Sequence, residues 1–191
     1  MYTSKPSTAE IRICRMARTA KINCSEKTFK NFKNILKVYS TTKVDLKVIH
    51  YDIPKEEINK IAPELYAAMI ADEVIPLDTV GELIEDLFSR GDVSKRIEQT
   101  LEDIRNFQKE GKFYYPILKG LYFEDPPRSD KEIQITLKLS RSHYFRKKKN
   151  AIFLFGVIFW NSIRLEWENS DAIMQNIDEA TGRDRSSFFD S

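Results

Sequence analysis

The sequence predicts an α+β fold: one domain with a mainly antiparallel sheet, helices packed on one side of it, and a mobile basic arm at the N-terminus. Three observations predict this. Apolar and polar residues alternate before and after the middle of the chain, at Val44, Leu46 and Val48 and again at Ile133, Ile135, Leu137 and Leu139, which is the period of a half-buried strand. The middle repeats instead at helical spacing, and an order of strands, helices, strands favours α+β over a parallel α/β sheet. Residues 1–32 show little periodicity and are rich in Ser, Thr, Lys and Arg, the composition of a segment that orders on binding.

Taken in order, residues 1–32 are the flexible basic arm, 33–170 the α+β domain and 171–191 an acidic polar tail. Val38, Val44, Leu46 and Val48 flank Ser40-Thr41-Thr42 and read as a first hairpin. Pro54 and Pro63 each stand where a helix begins, because the first turn has no use for the missing amide hydrogen; short helices are expected over about 54–61 and 63–74. A third is expected over about 78–89, with Val80, Leu83, Ile84, Leu87 and Phe88 on one face and Gly91 beyond its end. Asp92 is placed to cap a fourth, in which Val93, Ile97, Leu101 and Ile104 recur at helical spacing until Gly111. Phe113 to Phe123, interrupted by Pro116 and Gly120, reads as an irregular or edge strand, and Glu132 to Arg141 as a regular one. EDPPRSD between them is an exposed polar turn.

The stretch FRKKKNAIFLFGVIFWNSIRLEW, Phe145 to Trp167, is the most apolar of the chain. Ala151 to Trp160 is about half the 20 residues that a spanning helix needs. It is apolar on every side and so lacks the stripe of a membrane-lying helix. The reading is a strand buried on both faces, a turn at Asn161-Ser162, and a returning strand carrying Ile163, Leu165 and Trp167.

Cys14 and Cys24 are too few for a disulfide framework and lack zinc-ligand spacing, so they are expected as two thiols in a reducing compartment. The net charge of +2 conceals a segregation: residues 1–49 carry net +8, 50–110 net −8, 111–165 net +7 and 166–191 net −5. Basic blocks of that size hold anionic partners and attract acidic blocks on neighbouring copies, unless they are no more than solvated faces.

No nucleotide-binding glycine pattern is present. His50 and His143 are the only imidazoles and have no partner at metal-ligand or acid–base spacing. No catalytic residue, metal site or cofactor is expected. Binding residues are. Arg12, Arg15, Arg18 and Lys21 recur every three residues, with Lys27, Lys30 and Lys33 following; Arg141, Arg146, Lys147, Lys148 and Lys149 surround His143, Tyr144 and Phe145. Cations attract phosphates, and interleaved aromatics stack on bases or enter a lipid headgroup boundary. Glu82, Glu85 and Asp86 on the acidic helices are the expected self-association face.

The order of elements resembles that of rhabdovirus matrix proteins. The segments that carry the likeness are EIQITLKLS, FRKKKNA, IFLFGVI, NSIRLEW and ENSD, with KVDLKVIHY, ELYAAMIADEV and GELIEDLFSRG in the middle. The resemblance implies a non-enzymatic viral structural protein of the virion. Such a protein self-associates, condenses the nucleoprotein–RNA complex, and links it to the inner leaflet of host membranes and to the cytoplasmic tail of a glycoprotein. Host cytoplasm and nucleus are the implied compartments. Pro126-Pro127-Arg128-Ser129 is neither a PPxY nor a PTAP motif, so recruitment of host budding machinery is not implied. A second reading is an RNA-binding regulatory or silencing-suppressor protein that works as a dimer, its basic residues gripping phosphates and its acidic helices pairing.

Overall fold

The structure, a computed structural model, describes residues 6–42, 68–82 and 93–168. Among those residues every regular element is helical and no strand forms, which overturns the expected α+β sheet. The elements are α1 (Thr8–Thr19), α2 (Glu26–Thr42), α3 (Val93–Arg105), α4 (Gly111–Leu118), continued by a π-helical turn (Lys119–Phe123), α5 (Asp130–Thr136) and α6 (Arg141–Glu168).

The largest correction concerns Phe145 to Trp167. This stretch is no hairpin: all of it lies in the 28-residue α6. Helices α1, α2, α3 and α4 all pack against α6, and Ala151 to Phe155, Val157, Phe159, Trp160 and Ile163 are buried. A helix surrounded on every side is apolar on every side. It therefore loses the 3.6-residue stripe that would have told it from a strand. Asn161 and Ser162, read as a turn, are absorbed by the helix: the Ser162 hydroxyl donates to the Phe159 carbonyl at 2.7 Å, and Arg164 donates to Asn161 Oδ1 at 3.0 Å.

The mobile arm is likewise corrected. Ser7 and Glu10 form a capping box at the start of α1, each side chain accepting from the other's backbone N–H, so two orphan amides are satisfied at once. Ile13, Ala17, Ala20, Ile22 and Phe32 are all buried in the main core. Lys21, at φ 57°, ends α1. The Ser25 hydroxyl then accepts from the Thr28 amide at 3.0 Å and starts α2. Val38, expected in a hairpin, lies in α2; Val44, Leu46 and Val48 fall outside the described residues, as does the expected helix 54–61.

Asn31 and Asp72 hold segment 68–82 on α2. The buried Asn31 amide donates to the Glu73 carbonyl at 2.8 Å, and its oxygen accepts from the Ile75 amide at 2.9 Å. Asp72, at φ 56°, accepts from Thr28 Oγ1 at 3.1 Å and from the Ser25 hydroxyl. Met69, Ile75 and Val80 are buried as a result. Residues 68–70 and 77–82 are helical, so the second expected helix stops before Asp72, and the third is described only at its start.

Helix α3 forms where its periodicity placed it, with Ile97 and Ile104 buried. Gly111 opens α4 and does not close α3. A Cβ there would stand 2.2 Å from the Arg105 carbonyl oxygen and 2.5 Å from that of Ile104, so only glycine lets the chain turn so tightly. The expected strand Phe113 to Phe123 is α4 and its π-helical continuation, Pro116 included. The expected strand Glu132 to Arg141 is instead α5 and the turn into α6. A second capping box, Ser129 with Glu132, nucleates α5. Ile133 is buried but Ile135 is 64% exposed, because alternate positions do not share a helix face. Glu124 to Arg128, the first part of EDPPRSD, precede this box as a non-helical turn, exposed at Asp125, Pro126 and Pro127.

Cys14 and Cys24 are also corrected: they form a disulfide across 10 residues, Cα to Cα 5.3 Å, joining α1 to the approach of α2. That removes the cysteine argument for a reducing compartment.

Candidate functional site

The basic run that begins α6 divides into two halves with different jobs. Lys147, Lys148 and Lys149 turn toward three different helices. Lys147 pairs with Glu110 at the start of α4. Lys148 pairs with Asp130, the first residue of α5, at 2.7 Å, and Lys149 with Glu26, the first residue of α2, at 2.5 Å. Each carboxylate sits at a helix N-terminus, where negative charge also complements the dipole, so one run of lysines collects the leading acids of three helices onto α6. Burial would raise the Asp130 carboxyl, but hydrogen bonds from Lys148 and Tyr144 outweigh it and hold the group below the usual carboxylate range. Conversely, burial and the acceptor Asp130 push the Tyr144 phenol well above its ordinary value. Tyr144 thus stays a neutral donor, 2.6 Å from Asp130 Oδ1.

The other half faces outward. Arg141, His143, Phe145 and Arg146 are exposed. The Arg141 guanidinium lies 5.9 Å from the centre of the Phe145 ring, and Tyr144 backs that ring edge-on, with centroids 5.4 Å apart. Arg141, Phe145 and Lys149 recur at four-residue spacing and form one stripe of α6. Lys149 carries the stripe across to α2, since it lies 5.2 Å from the centre of the Phe29 ring. On α2, Lys30, Lys33 and Lys37 are exposed on the side opposite the buried Thr28, Asn31, Phe32 and Ile35. Lys33 is near enough to Asp130 to help lower its carboxyl, which places it beside the start of α5. No Asp or Glu occurs between Glu132 and Glu166. The result is a basic face with aromatic rings set into it, interrupted by the carboxylates of Glu26 and Asp130 where Lys149 and Lys148 pair with them.

The remaining expected site residues are not gathered there. Arg12 lies over the Phe107 ring at 4.8 Å, toward α3. Arg15 and Arg18 are exposed on the outer side of α1, away from its buried Ile13 and Ala17, and Lys21 follows the end of the helix. Glu82 is exposed, whereas Glu85 and Asp86 lie outside the described residues, as does His50. Lys30 and Lys33 were legible only as part of a basic run and Lys37 was missed. Their 3- and 4-residue spacing, together with Phe29, Phe32, Ile35 and Leu36 on the other side, is the signal that finds the face.

Clefts among the described residues lie beside this face and away from it. One of about 250 Å³ is walled by the Cys14–Cys24 disulfide, Glu10, Glu26, Lys149 and Asn150. Two more, of about 340 and 420 Å³, adjoin at Asp103 and Ile158 between α3 and α6, the larger also reaching α1. Among the described residues no group of three or more His, Cys, Asp or Glu is placed to hold a metal ion, and no helix is long and apolar enough to cross a membrane.

No protein-family model, no curated protein and no solved structure matches the chain.

Proposed function

We propose that the chain is a non-enzymatic structural protein that holds the phosphates of a nucleic acid, free or in a ribonucleoprotein, on the exposed cations Lys30, Lys33 and Lys37 of α2 and Arg141 and Arg146 of α6. The observation that carries the reading is the division of the α6 run. Lys147, Lys148 and Lys149 are engaged by carboxylates, while these five cations have no carboxylate within ion-pair distance among the described residues. Uncompensated cations on a rigid face supply counterion-release affinity for phosphates. The reading coincides with the nucleocapsid-binding part of a matrix role. It rests on charge geometry and not on that resemblance, whose expected strand segments EIQITLKLS and IFLFGVI form no strand here.

Fluorescence anisotropy with a labelled 20-nucleotide RNA tests it. About four phosphate contacts predict a loss of about 50-fold in affinity between 50 and 200 mM salt. Replacing all five cations by Gln should abolish binding while the far-ultraviolet circular dichroism stays that of the wild type. Wild-type protein that ignores RNA at 50 mM salt, or a quintuple variant that binds as before, overturns the reading.

A further inference from the structure

We infer that the nucleic acid held on this face is single-stranded, with an unpaired base stacked on Phe145 and the neighbouring phosphates held by Arg141 and Arg146. The inference rests on the phosphate-binding reading and adds to it the class of strand.

Phe145 carries the argument. Phe145 is 45% exposed although the adjacent Tyr144 is fully buried and the apolar residues from Ala151 onward are buried too. The ring is also held in place. Tyr144 meets it edge-on at 78°, and the Tyr144 hydroxyl is tied to Asp130, which Lys148 in turn grips at both carboxylate oxygens, at 2.7 and 2.9 Å. A rigid exposed ring costs little conformational entropy when a flat partner settles on it. Arg141, whose guanidinium lies over the ring 5.9 Å from its centre, adds a second planar group and a charge. Stacking on an aromatic ring needs a base whose face is open, because in a duplex that face is covered by the next base pair.

The surroundings argue against duplex as the ligand. The major groove receives a helix that protrudes into it, but α6 is walled at its start by α5, through Lys148 and Asp130, and by α2, through Lys149 and both Glu26 and Phe29. What it leaves accessible is one side, Arg141, Ser142, His143, Phe145, Arg146 and Lys149, along which Arg141, Phe145 and Lys149 form a stripe. From Arg141 to Lys149 that stripe runs about 12 Å at 1.5 Å per residue, the length of about three phosphates of a stacked strand at 3.4 Å each. The track then continues onto Lys30, Lys33 and Lys37.

The test uses the full chain with three probes at 100 mM salt: a labelled 12-nucleotide oligouridylate, a 12-base-pair RNA duplex, and vesicles of phosphatidylcholine and phosphatidylserine at 7:3. The strand should bind at least about tenfold more tightly than the duplex. Phe145→Leu, which keeps an apolar side chain at an exposed helix position, should weaken strand binding by about 5- to 150-fold, the range of one lost base–aromatic stack. It should leave duplex binding and the salt slope of strand binding unchanged, whereas Phe145→Trp should retain or tighten strand binding. Equal affinity for strand and duplex with a harmless Phe145→Leu overturns the inference and leaves phosphate binding standing. Failure to bind either nucleic acid removes both, and binding to the vesicles alone assigns the face to an anionic membrane.

Discussion

Gly156 is the position where the packing of α2 on α6 is most exposed to a single methyl group. A Cβ built there would stand 1.9 Å from Cγ of Phe32, and 2.1 and 2.2 Å from its two Cδ atoms. Phe32 is 1% exposed and makes an edge contact with Phe153 at 5.5 Å between centroids, so the ring has nowhere to retreat. Relief would take a movement of roughly 1.5 Å in a close-packed interior, at or above the usual overpacking cost of about 1–3 kcal/mol. Against it stands the gain from replacing glycine by alanine within a helix, about 1 kcal/mol. The clash outweighs that gain, and Gly156→Ala should lose about 2 kcal/mol or more in urea denaturation, with an unchanged slope showing that only stability has moved. The second arm is a reversal of sign. In a Phe32→Ala background, itself lower by about 3–5 kcal/mol, the methyl group meets a cavity and Gly156→Ala should stabilise, all four proteins being measured in the same stabilising osmolyte. A Gly156→Ala protein as stable as the wild type, or effects that simply add, would refute the close approach of α2 to α6.

Three further outcomes follow from the same structure. Deleting residues 1–32 should abolish cooperative unfolding, because the deletion removes Ile13, Ala17, Ala20, Ile22 and Phe32 from the core around α6; a folded truncated domain would restore the mobile-arm reading. Changing both Cys14 and Cys24 to Ser should cost about 3 kcal/mol from the loop they close, and reductant should lower the wild-type urea midpoint similarly but leave the variant unmoved. Asp130→Asn should cost up to about 1 kcal/mol near pH 7, a value kept small by the partial exposure of the pair. Since the folded carboxyl lies below the ordinary aspartate value of 3.8, that contribution is present above 3.8 and is lost as pH falls through the lower folded value. Wild type and variant should therefore converge in acid, and a gap that stays constant down to about pH 2, below the range of ordinary carboxylates, would mean that Asp130 is not stabilised as an anion.

Much of the local structure is legible in the sequence. Ser7-Thr8-Ala9-Glu10 and Ser129-Asp130-Lys131-Glu132 are both written capping boxes, and either one announces a helix where an arm or a strand was expected. Phe29, Phe32, Ile35, Leu36 and Tyr39 repeat at helical spacing inside the supposed arm and hairpin. The alternation of Ile133, Ile135, Leu137 and Leu139 was the misleading signal. Over so few residues a period of two is weak evidence against a capped helix, and Ile135 finds no core at all.

What the sequence determined by itself was local: the helix of α3 from its periodicity, the caps of α1 and α5, the segregation of charge, and the cations and aromatics available for binding. The tertiary structure decided which of those cations remain available. Lys149 finds Glu26 across 123 residues of chain and Lys147 finds Glu110 across 37, whereas Arg141 and Arg146 meet no acid among the described residues, and nothing in RSHYFRKKKN distinguishes the one fate from the other. It also decided that Ala151 to Trp160 is a helix, since an apolar run without a polar face carries no period, and the burial that made it apolar on all sides comes from four other helices. The physical reason is the same in both cases. A cap or an amphipathic period is written among neighbours in sequence, but the direction in which a side chain finds a partner, and the number of its sides that lose water, are set by whatever the rest of the chain brings against it.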